Sequence, residues 1–176
     1  IYNKTKGVPH GEEEEEAESA LTIDETAKVP VKAVVDGKVI AIEDVKDGIF
    51  SEKVLGDGVG IIPTSETVLA PAEGEICTVM EGSKHAIGVR TTNNSVFLIH
   101  VGIETVSMNG EGFETFVTVG QTVKMGDPLL TFDITLVKEK GYSSETMMAF
   151  EVKEGRTLEM KFTGQTNGQD VIAVLK

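Results

Sequence analysis

Short apolar runs separated by glycine-containing turns set the limits on what this chain can fold into. Nineteen of its 176 residues are glycine, well above the usual share of about 7%. Glycine supplies the positive φ that tight turns need, so this spacing favours many short strands over long helices. The pattern runs from residue 31 to the end. Val31-Lys32-Ala33-Val34-Val35 and Lys38-Val39-Ile40-Ala41-Ile42 flank Asp36-Gly37, which predicts a two-residue hairpin. An apolar run over 59–62 stops at Pro63, and another over 67–70 enters the turn Pro71-Ala72-Glu73-Gly74. Further strands are predicted over 75–80, 85–92, 95–101, 115–119, 128–132, 146–152, 158–162 and 170–175. Only 134–140 reads as a helix, and a short one. The expected fold class is all-β: an antiparallel β-sandwich or barrel of many short strands.

Residues 1–30 lack this periodicity. They include Pro9, Gly11 and the acidic run Glu12 to Glu16, which repels itself and has little to bury. They are predicted to be a disordered acidic linker or tail, and His10 within them is given no role. The domain proper is expected over 31–176, and 40% hydrophobic residues suffice for its single core. Eight acids against three bases leave residues 1–30 five charges negative, within a net charge of −13 for the whole chain. So acidic a surface repels phosphate backbones and excludes nucleic acid as a partner. It favours a basic protein partner. No apolar run approaches the ~20 residues of a membrane span, and no signal peptide is recognisable. The opening Ile1-Tyr2-Asn3, without an initiator Met, is expected of a piece of a longer polypeptide. Cys77 stands alone and forms no internal disulfide, which fits a reducing, cytoplasmic setting. It reads as a small core residue.

The stretch 83–102 holds two of the chain's three histidines. Asn93-Asn94 suit the two central positions of a turn, because Asn tolerates φ > 0. That register sets His100 opposite Ile87 and His85 opposite Gly102. Side chains alternate with period two along a strand, so His85 and Ile87 share a face. The two histidines are then diagonal neighbours, about 7–8 Å apart at Cα. Their face otherwise carries Ile87, Val89, Val96 and Leu98, which makes a site with little water. Spacing alone leaves two readings open: hydrogen-bonded structural histidines, or a functional pair.

Lys84-His85-Ala86-Ile87-Gly88, Leu98-Ile99-His100-Val101-Gly102-Ile103-Glu104-Thr105-Val106 and Gly110-Glu111-Gly112-Phe113 resemble the signature of glucose-type IIA domains of the phosphoenolpyruvate-dependent sugar phosphotransferase system. Asp57-Gly58-Val59-Gly60-Ile61-Ile62-Pro63-Thr64 and Ala70-Pro71-Ala72-Glu73-Gly74 extend the likeness, which covers about residues 34–176. The resemblance implies an antiparallel β-sandwich and a phosphotransferase site made by two histidines. His100 matches the histidine that carries phosphate on Nε2, and His85 matches its neighbour, a hydrogen-bond donor to the phosphoryl oxygens. Ser83 keeps a hydroxyl where the family usually has threonine. Phe50 and Leu98 match apolar rim positions. Asp47 matches an acid beside the site, and Glu104 falls where an aspartate or similar acid is common. These four are the expected docking surface. Glu81 departs from the pattern, for related domains often carry an apolar residue there, frequently Phe. The implied donor is the phosphohistidine of the carrier protein HPr. The implied acceptor is a cysteine of a IIB domain, on the same polypeptide or in a membrane IICB complex. Transfer between imidazoles keeps a high-energy P–N bond, so no cofactor or ATP is expected, and the sequence has no P-loop. A fusion to IIB or IIC would tether the domain at the inner face of the membrane. The sugar is set by the membrane IIC domain and is not legible here.

Two other readings fit parts of the sequence. Two histidines with Asp47 or Glu104 can hold zinc, but the chain has no His-x-His or His-Glu-x-x-His motif, and no metal is expected. Gly120-Gln121-Thr122-Val123-Lys124-Met125-Gly126-Asp127-Pro128-Leu129 resembles a strand-and-turn element of lysine-carrying biotinyl and lipoyl domains. The following Leu130-Thr131-Phe132-Asp133-Ile134 contains no lysine to carry such a group.

Overall fold

The computed structural model describes residues 21–151, 155–161, 164–166 and 170–176. The acidic run at 12–16 lies outside them. In chain order the elements are β1 (Val29–Lys32), β2 (Gly37–Ala41), β3 (Asp57–Pro63), β4 (Thr67–Leu69), β5 (Gly74–Val79), β6 (Ala86–Thr91), β7 (Val96–Ile103), β8 (Phe113–Thr115), β9 (Thr122–Val123), β10 (Pro128–Phe132), α1 (Ile134–Glu139), β11 (Ser143–Phe150), β12 (Leu158–Met160), β13 (Gly164–Thr166) and β14 (Val171–Leu175). Two 3-10 turns, Ile42–Asp44 and Thr105–Met108, complete the set.

The expected all-β class holds. An eight-stranded sheet runs β13-β2-β3-β11-β7-β6-β5-β9, and two three-stranded sheets run β1-β14-β12 and β4-β10-β8. Pairing is antiparallel throughout these sheets. The main core draws on all three: Val31 and Ile172, Val68 and Leu130, and Ile61, Val89, Phe97, Ile99 and Phe150 are all essentially inaccessible. The Phe97 and Phe150 rings meet there at 5.9 Å. The helix is only one turn and a half because its ends are fixed. Asp133 caps it by accepting from the Leu136 N–H, and Gly141, with φ of +88°, ends it.

Several local expectations fail for physical reasons. Asp36-Gly37 does not close a hairpin: β1 pairs with β14, whereas β2 pairs with β3 and β13. Ala33, Val34 and Val35 are buried in succession. That is the mark of a chain crossing the core between sheets, where neither side faces water. Gly37 sits so close to β3 that a Cβ would lie 2.1 Å from the Ile62 carbonyl oxygen. The strand expected over 115–119 shifts to Phe113–Thr115, leaving Phe116 and Val119 exposed. The predicted strands over 146–152 and 158–162 are Ser143–Phe150 and Leu158–Met160, with Val152 and Phe162 outside the described residues. The short strands β9 and β13 carried too few alternating residues to be foreseen.

The segment before β1 is fastened to the domain. Asp24 N–H donates to the Thr92 carbonyl at 2.7 Å. The Asn93 side-chain amide donates to the Ala27 carbonyl at 3.1 Å, and the Asn94 amide to the Glu25 carboxylate at 2.8 Å. Arg156 donates to the carbonyls of both Glu25 and Asn93. The last residues of the stretch read as tail thus close over the tip of the β6–β7 hairpin, where Asn93 is 0% exposed. Removing Arg156 takes a charged donor from the exposed Glu25 carbonyl and from the Asn93 carbonyl, whose bond to it is half-buried, a cost of about 1–2 kcal/mol. Arg156→Ala should therefore lower the melting temperature by several degrees. A chain begun at residue 21 should melt like the full one, whereas one begun at 31 should melt well below it. Calorimetry of the three variants checks this.

Candidate active site

The site lies on the face of the large sheet away from the main core. Along β7, Phe97, Ile99 and Val101 point into that core, so Leu98 and His100 point to the other side. The turn that sets this register is not the one expected. β6 and β7 pair as Ala86↔His100, Ile87↔Ile99 and Val89↔Phe97. Thr91 N–H donates to the Ser95 carbonyl at 2.7 Å, which leaves three residues in the loop. Asn94 takes the left-handed position, with φ of 65°, as three-residue hairpins require. The pairing therefore slips by one residue from the expected register. Ile87 and Val89 belong to the core, and Ala86 and Gly88 take their place on the site face beside Leu98.

His85 reaches His100 in spite of that slip because it stands outside β6. Lys84 before it is left-handed, with φ of 59°, and turns the chain. The His85 carbonyl still accepts from Val101 N–H at 2.8 Å. The two imidazoles meet edge to face, with centroids 4.5 Å apart and an interplanar angle of 88°. Ser83 Oγ lies 2.6 Å from His85 Nδ1, and both residues are buried.

His100 Nδ1 donates to the Gly102 carbonyl at 3.0 Å. A carbonyl oxygen only accepts, so the neutral ring holds its proton on Nδ1 and leaves the Nε2 lone pair free. Gly102 is needed for this turn-back. Its φ is +84°, and a Cβ there would stand 2.3 Å from Thr105 Cγ2. Buried Thr105 braces the turn through its hydroxyl, which donates to the Val101 carbonyl at 2.5 Å.

A loop over 45–56 forms the opposite wall. Phe50 is 4% exposed and its ring centroid is 5.1 Å from that of His100. It belongs to a small cluster with Ile42, Val45, Met147 and Ala149, against which Leu98 and Ile103 pack. Gly60 in β3 admits this loop, for a Cβ there would meet Val45 Cγ2 at 2.5 Å. A cleft of about 330 Å³ lies between the walls, lined by Lys46, Asp47, Phe50, His100, Ile103 and Glu104 among others. Glu104 is exposed and left-handed, with φ of 64°. Glu81 is exposed beside Ser83, on a second concavity shared with Met80, Val106 and Asn109. Gly102, Thr105, Met147 and Ile103 were not singled out in the sequence. Only Gly102 gave a signal, as a glycine closing an apolar strand. Among the described residues no three His, Cys, Asp or Glu side chains gather to hold a metal ion. No helix there is long and apolar enough to cross a membrane.

Burial dominates the charge state of the pair. It pushes both histidines below the ordinary 6.5, and His85 lowers His100 further, to about 4, against the opposing pull of the Gly102 carbonyl and Asp47. Both rings are neutral near pH 7.

A β-sandwich holding two neutral imidazoles in contact beside an apolar-walled cleft defines a narrow class of domain. Residues 29–155 match the family described as phosphoenolpyruvate-dependent sugar phosphotransferase system, EIIA 1. The chain is 40% identical over 146 residues to the glucose-specific EIIA component of Mycoplasma capricolum, covering 83% of this chain and 94% of that protein. The solved glucose permease IIA from the same organism superposes with a TM-score of 0.79 at 38% identity, covering 84% of this chain and 96% of that one. The chain is also 47% identical over 127 residues to the glucosamine-specific EIICBA component of Bacillus subtilis, covering 72% of this chain but only 19% of that much longer protein. The chain belongs to this EIIA family, whose members serve phosphoryl transfer in sugar uptake.

The linkage between charge and stability has a definite sign. The folded-state pKa of His100 is depressed to about 4 from 6.5, so the unfolded chain binds more protons between those values. Stability is fully present above pH 6.5 and falls as the pH drops toward 4. Thermal melts across that window should show a smaller loss for His100→Gln than for the unaltered chain. Equal losses would mean that His100 titrates normally.

Proposed function

We propose that His100 carries the phosphoryl group, taking it from phosphohistidine on HPr and passing it to a IIB domain. The observation that supports this most is the hydrogen bond from His100 Nδ1 to the Gly102 carbonyl, which leaves Nε2 as the nucleophile. The Nε2 lone pair attacks the donor's phosphorus. The donor P–N bond breaks as the new one forms, and its electron pair returns to the donor ring. No proton need leave His100, since Nδ1 already holds the ring's only one. Such transfers depend on positioning and charge stabilisation, and the neutral state of His100 keeps its lone pair available without a separate base.

His85 has the complementary role. With Ser83 donating to its Nδ1, the His85 Nε2–H is a donor beside the phosphoryl oxygens. The apolar wall of Phe50 and Leu98 keeps water from the labile P–N bond. Asp47 and Glu104 at the cleft, within a chain of net charge −13, suit a basic docking partner such as HPr. Occurrence of the family within an EIICBA chain supports IIB as the acceptor.

Incubated with phospho-HPr, the chain should gain one acid-labile phosphate, and His100→Gln should gain none. His85→Gln should still accept phosphate but pass it on about 10²–10³-fold more slowly, the cost of losing a donor to transition-state charge. The two half-reactions are timed separately with labelled phosphate. Phosphate on His85, Ser83 or Cys77 would overturn the assignment, and normal onward transfer by His85→Gln would make that residue structural.

A further inference from the structure

The ring that covers His100 is not carried by any strand or helix. Phe50 lies in the loop over 45–56, which has only turns and bends. Its large apolar neighbours there, Ile49, Val54 and Leu55, are 52%, 67% and 44% exposed, so the loop as a whole is not drawn inward. Beyond Val45, where the loop leaves the sheet, only Phe50 among its large apolar residues turns under. What fixes the backbone at that point is Asp47. Its Oδ2 accepts the Phe50 N–H at 3.0 Å and its Oδ1 accepts the Ser51 N–H at 3.0 Å. Ser51 Oγ donates back to the Asp47 carbonyl at 3.0 Å. This is the geometry of a helix cap without a helix, made stronger by the carboxylate charge.

We propose that Asp47 is a positioning residue, whose carboxylate holds the Phe50 ring against His100 through the N–H groups of Phe50 and Ser51. The expected docking role of Asp47 treats it as a charge offered to a partner. Here both of its oxygens are already engaged by its own loop. Ring placement needs no assumption about phosphate; only the lifetime measurement below rests on the phosphoryl-carrier reading.

Two effects of Asp47 on His100 have opposite signs, which makes them separable. Its negative charge stabilises protonated His100, so losing the charge lowers the His100 pKa. Its hold on Phe50 keeps the imidazole dry, so losing the hold admits water and raises that pKa. The other ionisable groups near His100 are His85, in ring contact, and Lys46 and Glu104, which line the cleft.

The test is a nuclear magnetic resonance titration of the His100 ring in the full chain. Asp47→Ala removes charge and hold together and should move the midpoint up from about 4. Asp47→Asn removes the charge but keeps an oxygen acceptor and should move it down. Phe50→Ala should raise it by itself, and Asp47→Ala added to Phe50→Ala should then lower it, because only the charge is left to lose. After loading from phospho-HPr, Asp47→Ala should lose phosphate several-fold faster than Asp47→Asn. A downward or absent shift in Asp47→Ala would overturn the proposal. So would failure of that variant to fold, since the effect is confined to residues 47–51. If His100 takes up no phosphate at all, the carrier reading fails, while the titrations still decide whether Asp47 places the ring.

Discussion

The alternation of β7 between two different environments governs the rest of the site. Phe97, Ile99 and Val101 are each 0% exposed within the main core, and burying such side chains contributes about 1.5–3 kcal/mol apiece. A slip of one residue would send all three to the outer face and drive His100 into the core. The register is therefore held by the sum of those burials and by ladders on both sides, to β6 and β11. His100 inherits its place from its neighbours. Met147, its cross-strand partner on β11, then lines the cleft, and Ala86 faces it from β6.

That placement decides the chemistry of the imidazole through a contest of local terms. A chain of net charge −13 should favour protonated histidine in general. At His100 the loss of water outweighs this, together with the nearby Asp47 and the Gly102 carbonyl, which also favour the charged form. Contact with His85 pushes the same way as burial, since two cations cannot share the space. The outcome is a ring whose single proton is committed to Gly102. Thr105 is part of this arrangement at one remove, because it packs where a side chain at residue 102 would have to go.

Most of the strands were legible because their signals are local: alternation, and glycine or proline at the ends. Registers and partners were not. Asn93-Asn94 suits a two-residue loop and a three-residue loop alike, and the choice rests on which Asn is left-handed. The contact between His85 and His100 follows from a bend at Lys84, outside any strand. Strict alternation along both strands gives the same pair through the wrong register. Asp36-Gly37 carries a strong hairpin signal, but three buried residues before it required a crossing between sheets. The resemblance pointed to Phe50 and Asp47 separately. Nothing in the composition of residues 45–56 tells that the acid faces its own loop rather than solvent. That is a property of backbone amides, which all residues except proline share.

The clasp formed by residues 24–27 sits at the tip of the β6–β7 hairpin, and the histidines sit at its open end. Six residues of β-strand, about 20 Å, separate the two. Residues 24–27 are thus moored at the far end of the hairpin from the cleft. A segment fastened there leaves the mouth of the cleft unobstructed. Relatives of this chain include a component somewhat shorter than it and one about five times the matched length. Portability between those two architectures needs no redesign of the site, only a knot tied at the right end of one hairpin.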